Sequence, residues 1–345
     1  MKSWRRMLAG LLAAAGLAVG AAHAQGSAPV EVNYGYTTAD HVTLYVAQDL
    51  GLFEKMGLKP KFFTFPSGAP LIAGLKSESL DVVTAGLGLA FALGQNIPLG
   101  IIYVNSNDAT GEGLVVNRDS PIRSFRDIGK AQKIAAASGT CAQVALYLMA
   151  QKAGIEWNKL NVVNIPAPLL RNSFMSDSID AGVAWPPYSL QLQAEGYPVV
   201  SFDEEYTPEG NVCPGLTAAR PDFLKKHPEV GVKLVQVEAM AREALAKNPQ
   251  LGVDAFVKRL GVTPEVAKAT LDRECCGRVP SFADQADPKS PYSMTSREGG
   301  LAGKLKLASE VLHATKAIAE PVPFAKIQDA IDPAYILAYL KQNPK

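Results

Sequence analysis

IAAASGTCAQVALYLMAQKAG, residues 134–154, reads as a short buried strand, a turn of Ser138, Gly139 and Thr140, and then an apolar helix. The first N–H groups of such a helix have no partner within it. Ser138, Thr140 or Cys141 can cap them, as in any structural helix. A strand-to-helix turn of small residues also leaves backbone donors for an anion at the positive end of the helix dipole. The surroundings decide between these readings.

Outward from this stretch the same alternation repeats. Before it, strand-like runs at 30–36, 59–65, 80–84 and 99–104 are separated by helical runs at 40–49, 69–76 and 87–93, with Gly, Pro or Asn at most joints. After residue 117 a second series follows: strands at 134–137, 162–165, 181–184 and 199–202, and helices at 142–153, 169–176 and 187–194. Strand and helix in turn imply α/β lobes with mostly parallel sheets, and two series imply two lobes. From residue 221 the strands cease, and helices at 228–247, 251–260, 264–273, 302–318 and 333–341 form a tail. Its amphipathic faces need covering, so the tail is expected to pack on the first lobe.

The N-terminus carries Lys2, Arg5 and Arg6, an apolar run over 7–22 and Ala22-His23-Ala24. That is the pattern of a secretory signal peptide over residues 1–24, which places the mature protein in the periplasm. The Arg5-Arg6 pair leaves Sec and twin-arginine export both open. Removing 24 of the 345 residues leaves 321, enough for two lobes. The signal takes three of the 34 basic residues, so 31 face 33 acidic ones; this balance offers no footprint for nucleic acid. Four cysteines, Cys141, Cys213, Cys275 and Cys276, then meet an oxidising compartment. There is no Cys-x-x-Cys pair, so no metal site is expected. A bond between neighbours Cys275 and Cys276 would need a strained ring, so a disulfide formed by either would sooner pair it with Cys213 or Cys141, and the connectivity among the four stays open.

Several stretches together carry a resemblance: AQDLGLFEKMGL (47–58), SGAPLIAGLKSESLD (67–81), residues 124–137, IDAGVAW (179–185) and FLKKHPEV (223–230). Their order and spacing resemble the periplasmic solute-binding proteins of nitrate/sulfonate/taurine-type ABC importers. The likeness is greatest to taurine-binding proteins, as in Ala184–Pro187 followed by a helix and Glu195-Gly196. The resemblance implies a two-lobed Venus-flytrap of type II, with hinge strands near 114–117 and 214–219. Lobe I would hold 25–115 and 216–345, and lobe II 116–215. It implies a monomer without a cofactor that captures a small organic anion, sulfonate- or taurine-like, and hands it to an inner-membrane permease and its ATPase. An aromatic carboxylate, a sulfate ester or a nitrate-type ligand is the alternative cargo. A ligand receptor for a signalling partner is a second alternative, and an enzyme like those of thiamin-pyrimidine synthesis a third. Export and the lack of a glycine-rich phosphate loop speak against the enzyme.

In open parallel sheets ligands sit beyond the carboxyl ends of the strands. That rule and the resemblance together select Thr37, His41, Ser67, Gly68, Gly86, Leu87, Ser138, Gly139, Thr140, Cys141, Arg171, Trp185 and Cys213 as ligand-binding candidates. Relatives that hold sulfonate usually place hydroxyls after the glycine of the turn that is Ala85-Gly86-Leu87-Gly88 here. Their replacement by Leu87 and Gly88 makes the cleft less polar and shifts the acid group towards Ser138–Cys141, with help from Ser67 and Arg171. Arg171 offers a forked partner to an acid or is a solvated loop arginine, and both readings stay open. Asp40 is expected to cap the first helix, and Trp185 and Leu87 to cover the apolar part of the ligand.

Overall fold

In the computed structural model the described residues are 28–39, 41–107, 111–207, 213–274 and 279–344. The signal segment, Asp40, and the Cys275-Cys276 pair lie outside them. No described helix is long and apolar enough to cross a membrane.

The chain builds two five-stranded sheets with the same plan. In the first, β1 (Val30–Thr37), β2 (Leu58–Phe65), β3 (Val82–Ala85) and β4 (Gly100–Asn107) run parallel to one another. In the second, β6 (Ile134–Ala135), β7 (Val162–Val163), β8 (Ala181–Ala184) and β9 (Val199–Ser201) do the same. Each sheet also contains one antiparallel strand that arrives from the other lobe. β5 (Gly113–Val116) lies between β8 and β9, and β10 (Pro214–Ala219) between β3 and β4. The orders are therefore β2-β1-β3-β10-β4 and β7-β6-β8-β5-β9.

The two crossing segments were expected at 114–117 and 214–219. Those residues form β5 and β10, strands that lie inside the sheets they enter, and the passage between sheets falls between Asn107 and Gly113 and between Ser201 and Pro214. Period-2 hydrophobicity shows that a segment is a strand but not which sheet takes it up. A buried chain of hydroxyls holds β10 in place: Tyr34 Oη to Thr84 Oγ1 at 2.7 Å and Thr84 Oγ1 to Thr217 Oγ1 at 2.9 Å join β1, β3 and β10.

The helical tail covers the first lobe, as expected from its faces. Gln285 acts as a detached piece of strand on the edge of β4: its amide oxygen accepts the Val104 N–H at 2.8 Å and its nitrogen donates to Val104 O at 2.9 Å. Ile101 pairs with Ile331 in an isolated bridge on the same strand. An edge strand's open polar groups are thereby closed. The tail also reaches the second lobe, where helix Pro264–Glu274 meets Tyr188–Ala194 and helix Gly300–Ala314 meets Cys141–Lys152.

Candidate functional site

One cavity, of about 50 Å³, lies where the carboxyl ends of both sheets face each other. Thr37, Ala39 and His41 enter it from the end of β1, Ser67 and Gly68 from β2, and Ala85, Gly86 and Gly88 from β3. Glu112 enters from the outgoing crossing, and Thr140, Cys141 and Trp185 enter from the second lobe. The volume suits a group of a few heavy atoms rather than a large ligand in this conformation.

The lobes are in direct contact around it. Trp185 Nε1 donates to Thr38 O at 3.1 Å. Gly139, at φ 72°, turns the chain so that its carbonyl lies 3.5 Å from where a Cβ on Gly88 would stand and 3.9 Å from one on Gly68. Cys141 Sγ accepts the Leu87 N–H at 3.3 Å.

Cys141 and Cys213 form a disulfide with Cα atoms 5.7 Å apart. This overturns the expected pairing of either cysteine with Cys275 or Cys276. The N-terminus of helix Cys141–Lys152 abuts the residue that leads into β10, a meeting that sequence separation does not reveal. Cys213 is thus the disulfide's buried far end, outside the cavity lining. Glu112 brings a carboxylate oxygen within 4.8 Å of both sulfurs. With those sulfurs bonded to each other, the group presents no thiolate to a metal.

The expected donors of the Ser138 turn are largely engaged. The Ser138 N–H donates to Asn164 Oδ1 at 2.9 Å, the Gly139 N–H to Gln143 Oε1 at 2.7 Å, and Thr140 Oγ1 to Ala137 O at 2.6 Å. Only the first N–H groups of the helix, which has no side-chain cap, remain there. Ser67 is different. It is extended, buried, lines the cavity and starts helix Gly68–Lys76 without capping it, and among the described residues its hydroxyl has no hydrogen-bond partner.

Two other candidates lie elsewhere. Arg171 is on the surface, where its Nε donates to both carboxylate oxygens of Glu195 at 2.8 Å. Leu87 buries its side chain in the core and contributes only its N–H to the cleft. Ser138 and Gly139 line the turn but not the cavity. Of the thirteen candidates, Thr37, His41, Ser67, Gly68, Gly86, Thr140, Cys141 and Trp185 are brought together.

No described lining residue is a lysine or arginine. His41, whose Nε2 lies 3.0 Å from Thr37 Oγ1, is pushed down to about 4 by burial and is neutral at pH 7. Glu112 is the residue that sequence reasoning missed. It stands between Gly111 and Gly113, just ahead of β5, and only the crossing carries it into the cavity.

Two α/β lobes joined by paired crossings and closed on one cavity define a protein of the two-lobed periplasmic-binding-protein fold. A family model described as NMT1/THI5 like matches residues 38–251, and the chain belongs to that family. A putative binding protein of Brucella abortus (strain 2308) is 26% identical over 320 residues, 90% of each chain. The taurine-binding periplasmic protein of Escherichia coli (strain K12) is 26% identical over 279 residues, 80% of this chain and 83% of its own. Among solved structures, the alkanesulfonate-binding protein SsuA from Xanthomonas axonopodis pv. citri, bound to MOPS, superposes with a TM-score of 0.73 at 19% identity, over 88% of this chain and 98% of that one.

Proposed function

We propose that this protein is the substrate-capturing component of an ABC importer, acting in the periplasm as a monomer and without turnover. It takes one small organic anion, sulfonate- or taurine-like, and presents the closed form to an inner-membrane permease and its ATPase. The observation that carries this reading is the cavity at the meeting of the lobes, lined by Ser67 and by the uncapped starts of two helices. The relatives' names support the class of cargo. Capture works by closure because a ligand that touches both lobes binds the closed state better than the open one, and only such a difference shifts the equilibrium.

The test is a thermal-shift screen of the mature protein across alkyl sulfonates, sulfate esters, nitrate, aromatic carboxylates and amino acids, with small-angle scattering on every hit. A true ligand at a hundredfold excess over Kd adds about 3 kcal/mol of stability and compacts the protein. Stabilisation by cations or peptides alone, or binding without compaction, would overturn the reading.

A further inference from the structure

We propose that the Cys141–Cys213 disulfide is an exchange site for dithiols and a tether between the lobes, and that its making and breaking sets how far the lobes part. This takes from the capture reading only that the lobes open, and otherwise stands on the placing of the two sulfurs.

The bond joins elements on either side of the cleft. Cys141 is the first residue of helix Cys141–Lys152 in the second lobe, and Cys213 is the last residue before β10, on the returning crossing. Two crossings already connect the lobes, and the disulfide is a further covalent link beside one of them. A crosslink within one lobe would steady that lobe alone. This one restricts the swing of the second-lobe helix about the crossing, and so narrows the open state.

The two sulfurs differ in reach and in surroundings. Cys141 belongs to the cavity wall, while Cys213 is 1% exposed and lies outside it, so a thiolate entering the cleft meets Cys141 first. Cys141 also sits at the uncapped, positive end of a helix of 12 residues, and its Sγ accepts the Leu87 N–H of the first lobe at 3.3 Å. Both features favour a thiolate on Cys141 once the bond is cut. Glu112 places a carboxylate oxygen within 4.8 Å of both sulfurs and so bears on the two alike. His41, the other titratable side chain described in the cavity wall, is neutral at pH 7. A disulfide whose reduced form is stabilised in this way yields to thiols more readily than an ordinary structural one.

The exchange runs in two steps. One thiolate of the dithiol attacks Cys141 Sγ, forming a mixed disulfide and releasing the Cys213 thiolate, which takes up a proton. The second thiolate of the dithiol attacks its partner sulfur in that mixed disulfide and releases the Cys141 thiolate. The dithiol leaves as a disulfide, having given two electrons to the cysteine pair and its two protons to Cys213 and, through solvent, to the buffer.

The test treats the folded mature protein with dithiothreitol in the absence of denaturant, traps thiols by alkylation and maps them by peptide mass. The ligand-free oxidised and reduced forms are then compared by small-angle scattering. Cys141 and Cys213 are expected to become alkylated while the thermal melt stays cooperative, and the radius of gyration to shift upwards on reduction. The monothiol 2-mercaptoethanol should leave its adduct on Cys141 and not on Cys213. Cys141→Ser with Cys213→Ser should match the reduced form without reductant, and if that variant does not fold, the reduced wild type decides alone. A bond that resists dithiothreitol until urea unfolds the protein, an adduct on Cys213, or loss of the cooperative melt on reduction overturns the proposal. An unchanged radius alongside compaction by a hit of the anion screen overturns the tether and leaves capture by closure standing; no change with either overturns both.

Discussion

Trp185 of the second lobe is hydrogen-bonded to Thr38 of the first: its indole N–H donates to the Thr38 carbonyl at 3.1 Å across the cleft. The indole N–H thus links the two lobes while Trp185 also lines the cavity. On the proposed capture by closure, parting of the lobes breaks this bond, so its strength appears in the lifetime of the closed form.

Trp185→Phe keeps a ring and removes the donor. Ligand dissociation, followed by stopped-flow displacement, should become about 2- to 10-fold faster, the equivalent of one hydrogen bond of ordinary net strength. An unchanged off-rate would show that this bond contributes nothing to closure.

Ser67 and Thr140 both offer hydroxyls near the cavity, yet they are predicted to behave differently. Ser67→Ala should weaken binding by about 3- to 10-fold while leaving the melting temperature of the free protein unchanged, since among the described residues no partner loses a bond. Thr140→Val should do the reverse. Its hydroxyl is given to Ala137 O, so the variant should lose about 1 kcal/mol of stability with a smaller effect on affinity. Calorimetric binding and thermal melts on the two variants separate the roles.

The α/β alternation was legible because amphipathic periods are local. The expected helix at 142–153 and strand at 181–184 coincide with Cys141–Lys152 and Ala181–Ala184 to within a residue. What stayed hidden depends on meetings between distant segments. Val115 reads as strand, but nothing in its neighbours says that it pairs antiparallel between Gly182 and Val199. Arg171 sits beyond a second-lobe strand, where an anion ligand is expected, and its partner Glu195 is 24 residues away. The Ser138 turn was found, but its donors were already committed to Asn164 and Gln143, side chains that only the folded chain brings within reach. Glu112 gave no sign of its place, because a lone acid between two glycines reads as a solvated turn.

The disulfide joins the second-lobe helix to the strand that returns to the first lobe, closing a separation of 72 residues. On the chain-entropy account it stabilises the fold by about 4 kcal/mol, and Cys141→Ala with Cys213→Ala should lose much of that in urea denaturation. Gly86 lies against it: a Cβ there would stand 2.6 Å from Cys141 Sγ and 3.0 Å from Cys213 Sγ. Gly86→Ala should therefore destabilise the disulfide-bonded protein by about 1–3 kcal/mol and cost far less when both sulfurs are absent. Equal costs in the two backgrounds would place the strain elsewhere.

Two buried groups give opposite dependences of stability on pH. Burial lowers His41 from 6.5 to about 4, so the folded protein favours its neutral form. That contribution is present above the unfolded value of 6.5 and is lost as pH falls towards 4. Burial raises Asp203 from 3.8 to about 7, against the opposing hydrogen bond from the Tyr206 hydroxyl, so the folded protein favours its protonated form. That contribution is present below 3.8 and is lost as pH rises through 7. Between pH 4.5 and 6.5 the unfolded chain binds about one proton more at His41 and about one fewer at Asp203, and the two slopes cancel. His41→Gln should therefore make stability fall with rising pH across this window, relative to wild type, and Asp203→Asn should make it rise. Each difference should reach about 2 kcal/mol from end to end, read from urea midpoints at pH 4.5, 5.5 and 6.5. Taking differences from wild type removes the other carboxylates, which titrate in all three proteins. If both variants run parallel to wild type, neither group changes its proton affinity on folding.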